Sequence, residues 1–97
     1  MPRFVILWKW TDQGIRNVKD SPKRRREVKD AVEKAGGRWV SSFYTLGAYD
    51  GVVAVELPSD EAAHRILLSI GSGGNVRTTT LKAFTEAEAD KVIGELA

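Results

Sequence analysis

Six cations, Lys19, Lys23, Arg24, Arg25, Arg26 and Lys29, fall within eleven residues of this chain. Behind Ser21 as a cap and Pro22 at the first helical position, Lys23 to Arg26 would occupy a first helical turn, where the helix dipole disfavours positive charge. That placement suits an anion, because free backbone N–H groups, the dipole and the guanidinium groups would converge on it. It equally suits a solvated basic face, softened by the Lys23–Glu27 and Asp30–Lys34 spacings. A second anion-binding feature is Gly71-Ser72-Gly73-Gly74-Asn75, followed by Val76 and Arg77. The N–H groups of such a turn can face a phosphate or carboxylate, although a helix-to-strand turn is the reverse of a phosphate-binding loop, and Gly71 equally suits a helix end. Thr11, Asp12 and Gln13 follow Trp8 and Trp10, whose rings would suit Asp12 to acid–base work if they enclosed it; Asp-Gln-Gly is also an ordinary turn. His64 is the only histidine and there is no cysteine to complete a metal site or triad with it, so a boundary or surface histidine is expected, and no metal. No cofactor is expected.

The elements that must position these residues are legible from periodicity. β-branched and aromatic residues mark strands at Phe4–Trp10, Trp39–Leu46, Val52–Leu57 and Val76–Phe84. Apolar residues at helical spacing mark Pro22–Ala35, Asp60–Ile70 and Glu86–Leu96. Ser59 caps the second of these helices, and Thr85 with Glu88 forms a capping box on the third. The order βαββαβ plus one helix predicts an α+β, ferredoxin-like sandwich with an antiparallel four-stranded sheet and an additional C-terminal helix, residues 1–97 forming one domain. In that arrangement the first and third strands are central. Both their faces are largely apolar: Phe4, Ile6, Trp8 and Trp10 alternate with Val5, Leu7 and Lys9, and Val53, Val55 and Leu57 with Val52, Ala54 and Glu56. Helices cover one face only, so a homo-oligomer is expected, packed through the sheet.

Gly47 to Gly51 reads as the turn of the hairpin between the second and third strands, with Asp50 accepting backbone hydrogen bonds and Tyr44 and Tyr49 packing across it or offering a hydroxyl to a ligand. This hairpin is expected at the opposite end of the sheet from Thr11–Gly14 and Arg77, so that only a subunit interface could bring the two groups together.

Composition narrows the field. The 97 residues carry a formal charge of +2, concentrated in the basic run, and are 42% hydrophobic and 29% charged, an ordinary globular balance. Nucleic-acid binding is the least favoured function on that charge. The longest apolar run, Phe4 to Trp8, is too short for a signal peptide or a membrane span, so a soluble cytoplasmic protein is expected.

Three segments carry a family resemblance: Trp10 to Asn17 with Lys19-Asp20-Ser21-Pro22; Thr45-Leu46-Gly47-Ala48-Tyr49-Asp50; and Gly74-Asn75-Val76-Arg77-Thr78 with Ala83-Phe84-Thr85. Together they resemble the GYD domain family of small prokaryotic proteins, here as Gly-x-Tyr-Asp. The resemblance spans nearly the whole chain and implies a ferredoxin-like fold related to the dimeric α/β-barrel proteins, with no established activity. The functional expectation is therefore an oligomeric module binding a small anionic metabolite or a protein partner. The alternative, by fold analogy, is a cofactor-independent isomerase or monooxygenase using Asp12, Tyr44 or His64 in a pocket between sheet and helices.

Overall fold

The computed structural model describes all residues, Met1–Ala97. In chain order the elements are β1 (Arg3–Trp10), α1 (Asp12–Arg16), a 3₁₀ turn (Val18–Asp20), α2 (Ser21–Lys34), β2 (Arg38–Tyr44), β3 (Gly51–Glu56), α3 (Asp60–Ser72), β4 (Val76–Ala83) and α4 (Glu86–Gly94). The strands form one antiparallel sheet in the order β2-β3-β1-β4, with the two most apolar strands at its centre. This is the α+β, ferredoxin-like arrangement expected, and every expected strand and helix is present.

Two local features depart from expectation. Asp12–Arg16 is a short helix rather than a simple turn, because the Thr11 hydroxyl accepts from Gly14 N and starts it. The chain then runs through the 3₁₀ turn directly into α2, with Ser21 N donating to Val18 O. Ser21 is accordingly not a cap: Asp20 holds that position without a side-chain bond, and Ser21 is buried as the first helical residue. The expected open helix start, with its free N–H groups, is thus continued by the turn that precedes it.

Helices α2 and α3 cover one face of the sheet. Phe4 and Ile6 of β1 and Val53 and Val55 of β3 meet Val32, Ala62, Ala63 and Ile66 there, and Leu57 closes the far end. The opposite face stays open, and the register sets Val5 beside Ala54 and Leu81, Leu7 beside Val52, and Val52 beside Phe43. A bulge between Trp39 and Ser41 reverses the alternation of β2, which turns Phe43 outward and Tyr44 toward the helices.

α4 stands apart. None of its residues is buried, although Ala89, Val92 and Ile93 share one helical face. The molecule measures 52 × 31 × 18 Å, and its radius of gyration, 14.7 Å, exceeds the roughly 13 Å of a compact chain near this length. No helix is long and apolar enough to cross a membrane.

Candidate functional site

The hairpin between β2 and β3 lies at the same end of the sheet as Thr11–Gly14, contrary to expectation. A strand–helix–strand crossover makes β1 and β2 run in the same direction, so the hairpin that follows β2 must return beside the end of β1. Trp8 pairs with Gly51 and Trp10 with Val76, which brings the ends of β1 and β2 and the starts of β3 and β4 together within one protomer.

Asp50 joins them. Its Oδ2 accepts from Trp10 N at 2.8 Å, and its own N–H donates to Trp8 O at 2.8 Å. β1 extends beyond β3, and the carboxylate serves the backbone donor that the shorter strand leaves unpaired. Thr45 closes the hairpin, its Oγ1 donating to Tyr49 O and its N to Asp50 O. Gly51 is required here because a Cβ would strike the Trp8 ring. Asp50 thus clasps the hairpin that carries the Gly-x-Tyr-Asp motif to the end of β1.

The glycine-rich turn has the same character. Gly73 N and Gly74 N are spent on Ile70 O and Gly71 O, and the turn presents carbonyls outward. Thr11 Oγ1 donates to Gly74 O at 2.6 Å, Thr11 N donates to Asn75 O, and Gln13 Nε2 bridges Gly73 O and Asn75 Oδ1. In place of the free N–H groups that a phosphate cradle would need, the turn forms a lock between α1 and the start of β4, and its Gly73 and Asn75 also border the cavity between the sheet and the helices.

The arginines separate. Arg25 donates to the Tyr44 hydroxyl at 3.2 Å and lies over its ring, and Ser21 shares that hydroxyl at 2.8 Å. Tyr44 in turn stacks on Trp10, with centroids 6.5 Å apart, and meets Trp8 edge-on. Arg24 reaches Asn17 O with Nη1, whereas its Nη2 is buried without a partner. Arg26 is exposed, and Arg77 sits opposite Lys9 on the open face of the sheet. The four cations thus face three directions, because helical spacing turns Arg26 away from Arg24 and strand alternation turns Arg77 away from the helices.

Between the sheet and α2 and α3 lies a cavity of about 600 Å³ with a largely apolar lining. Trp8, Trp10 and Tyr44 wall one end, and Arg24, Arg25 and Thr80 are among its polar members. Of the three acid–base groups considered from sequence, only Tyr44 lines it; Asp12 and His64 are exposed. Tyr49 lies on the other side of the hairpin, beneath Lys9. Ser21 and Thr80 are further polar groups of this space, and the cap position expected of Ser21 gave no sign of its place there. The alternation of threonines along β4 offered a signal for Thr80.

Two carboxyl groups titrate below the ordinary glutamate range. Glu56, on the open face, accepts from Arg3 and lies beside Arg38, with the Arg3 hydrogen bond the larger cause. Glu88 is lowered by the backbone N–H and hydroxyl of Thr85 in the capping box. No group of three histidine, cysteine or carboxylate side chains is placed to hold a metal ion.

Comparison with known proteins agrees with this fold. The sequence model of the GYD domain matches residues 4–93. The chain is 36% identical over 89 residues to the glutamine synthetase and cystathionine beta-lyase binding protein of Thermus thermophilus, spanning 91% of this chain and 94% of that one. A crystal structure of a Thermus thermophilus protein superposes with a TM-score of 0.55 at 23% identity, covering 88% of this chain and 95% of the other. That likeness bears on fold alone.

Proposed function

This chain belongs to the GYD domain family, and we propose that it is a non-catalytic docking module that associates with itself through the open sheet face and binds a protein partner. The observation that carries this reading is the open face itself. Val5, Leu7, Val52, Ala54, Phe43 and Leu81 form a continuous apolar surface on the side that no helix covers. Patches of that kind on small soluble domains mark protein contacts. A twofold pairing of such faces gives a four-layer sandwich in which each copy covers the other.

The relative supports the second half, since it is a binding protein for two enzymes. Pairing through the sheet leaves α2, α3 and the hairpin end outward, where a partner enzyme would dock. The cytoplasm is the compartment in which such enzyme partners would be met.

Sedimentation velocity on the unmodified protein and on Leu7→Glu tests self-association. A discrete oligomer that Leu7→Glu converts to monomer is expected, because a charge at the centre of an apolar interface loses its water without gaining a partner. A monomer in both would end the reading. Titration with purified glutamine synthetase and cystathionine beta-lyase from the source organism, followed by fluorescence anisotropy, tests the partner. Saturable binding to either enzyme is expected, and flat titrations with both would remove them as partners.

A further inference from the structure

We propose that the cavity between the sheet and α2 and α3 binds a small organic acid, its apolar body against the Trp8, Trp10 and Tyr44 wall and its carboxylate on the Arg24 guanidinium. This site is independent of the open sheet face, which lies on the other side of the sheet.

Three observations converge. The first is size and lining: a space of about 600 Å³ falls within the roughly 300–1,000 Å³ typical of small-molecule sites, which are mostly apolar with a few placed polar groups. Core residues such as Phe4, Ile6 and Ile66 reach this space, so it is an opening into the hydrophobic layer and not a surface dimple.

The second is an unfinished polar complement. Arg24 Nη2 and Thr80 Oγ1 are buried without hydrogen-bond partners, and both residues line the cavity. Buried donors are nearly always paired, so each orphan marks a place where something else belongs. The third buried orphan, Arg3 Nε, belongs to the Glu56 ion pair on the other face. Arg24 is held by its Nη1 bond to Asn17 O, which leaves a fixed N–H edge for an anion. Arg25 is committed to Tyr44. Thr80 pairs with Ile6, farther along the sheet than the Trp10–Val76 pair, so it meets the body of the ligand and suits a hydroxyl or carbonyl there.

The third is charge. Arg24, Arg25, Lys34 and Arg65 line the cavity against a single carboxylate, Glu27. That balance favours an anion over a cation or a neutral lipid, and a guanidinium edge matches a carboxylate.

The test follows tryptophan fluorescence and isothermal titration with three probes: 4-phenylbutyrate, octanoate and the neutral 4-phenylbutanol. Trp8, Trp10 and Trp39 all line the space, so occupancy has an optical signal. Saturable binding of at least one acid is expected, tighter than the alcohol by about tenfold or more, the usual scale of a charge-assisted hydrogen bond. Arg24→Gln should remove that advantage and leave alcohol binding unchanged, whereas Arg26→Gln should change neither. Equal binding of acid and alcohol, or an undiminished acid preference in Arg24→Gln, would overturn the proposal, as would the absence of saturation by every probe. Should Arg24→Gln fail to fold by circular dichroism, the acid-against-alcohol comparison on the unmodified protein decides the matter alone.

Discussion

Asp50 shows how a signature residue can be structural while looking chemical. Its carboxylate caps the protruding end of β1 at Trp10 N. Asp50→Ala leaves that N–H without an acceptor and should cost about 1.5–3 kcal/mol, the range for a hydrogen bond to a charged group. Urea unfolding at neutral pH measures it, and Asp50→Asn should lose less because the amide oxygen still accepts. A loss within error for Asp50→Ala would mean that the hairpin is held by other bonds. Glu56 carries a pH prediction of definite sign. Its folded-state pKa is depressed by Arg3 and then Arg38, so its contribution is complete above the ordinary glutamate range and is lost as pH falls through the depressed value. Thermal midpoints taken from neutral pH to about pH 3 should therefore fall less steeply for Glu56→Gln. Glu88 retains its own acid sensitivity, so the slope is reduced rather than abolished. Added salt should shrink the difference, since both partners of the ion pair reach solvent.

Among the elements, α1 and the turn before β4 form a unit whose fit depends on close backbone approach. Gly14 is buried, and a Cβ there would strike the Asn75 carbonyl. Gly14→Ala must push the turn away and break the Thr11 and Gln13 bonds to it, a change expected to cost about 2 kcal/mol or more. Gly71 is the contrast. It lies within α3 with open space where a Cβ would stand, so Gly71→Ala should stabilise by about 0.4–1 kcal/mol through the unfolded chain and helix propensity. Paired denaturant melts check both signs; a harmless Gly14→Ala would show that the lock is looser than its geometry. The basic run also acquires its meaning at this scale. Arg25 fastens α2 to β2 through Tyr44, and Arg24 faces the cavity, while Lys23, Arg26 and Lys29 remain on the solvated side. One run of cations thus serves packing, a candidate ligand and the surface.

At the scale of the whole molecule, a two-layer protomer leaves one apolar sheet face and one apolar helix stripe uncovered. α4 contributes no buried residue to its own protomer. In the Leu7→Glu background, which removes any contribution from the proposed pairing of sheet faces, a chain ending at Thr85 should therefore melt at the same temperature as one that keeps α4. A clear drop would show that α4 packs on its own protomer. Much of this architecture was legible in the sequence, because it follows from local rules: period-two alternation marked the strands, helical spacing marked α2, α3 and α4, and Thr85 with Glu88 announced the last helix. The order of elements then implied the strand order, with the apolar β1 and β3 at the centre. What tertiary structure alone decided were the meetings between distant residues. The hairpin's place beside the end of β1 follows from the crossover order, and the 3₁₀ turn before Ser21 is local. The bonds of Thr11 and Gln13 to the turn before β4, the Tyr44 hydroxyl shared by Ser21 and Arg25, and the bulge after Trp39 that sets Phe43 and Tyr44 on opposite faces depend instead on where the chain returns in space, and alternation or capping within one segment carries no information about that return.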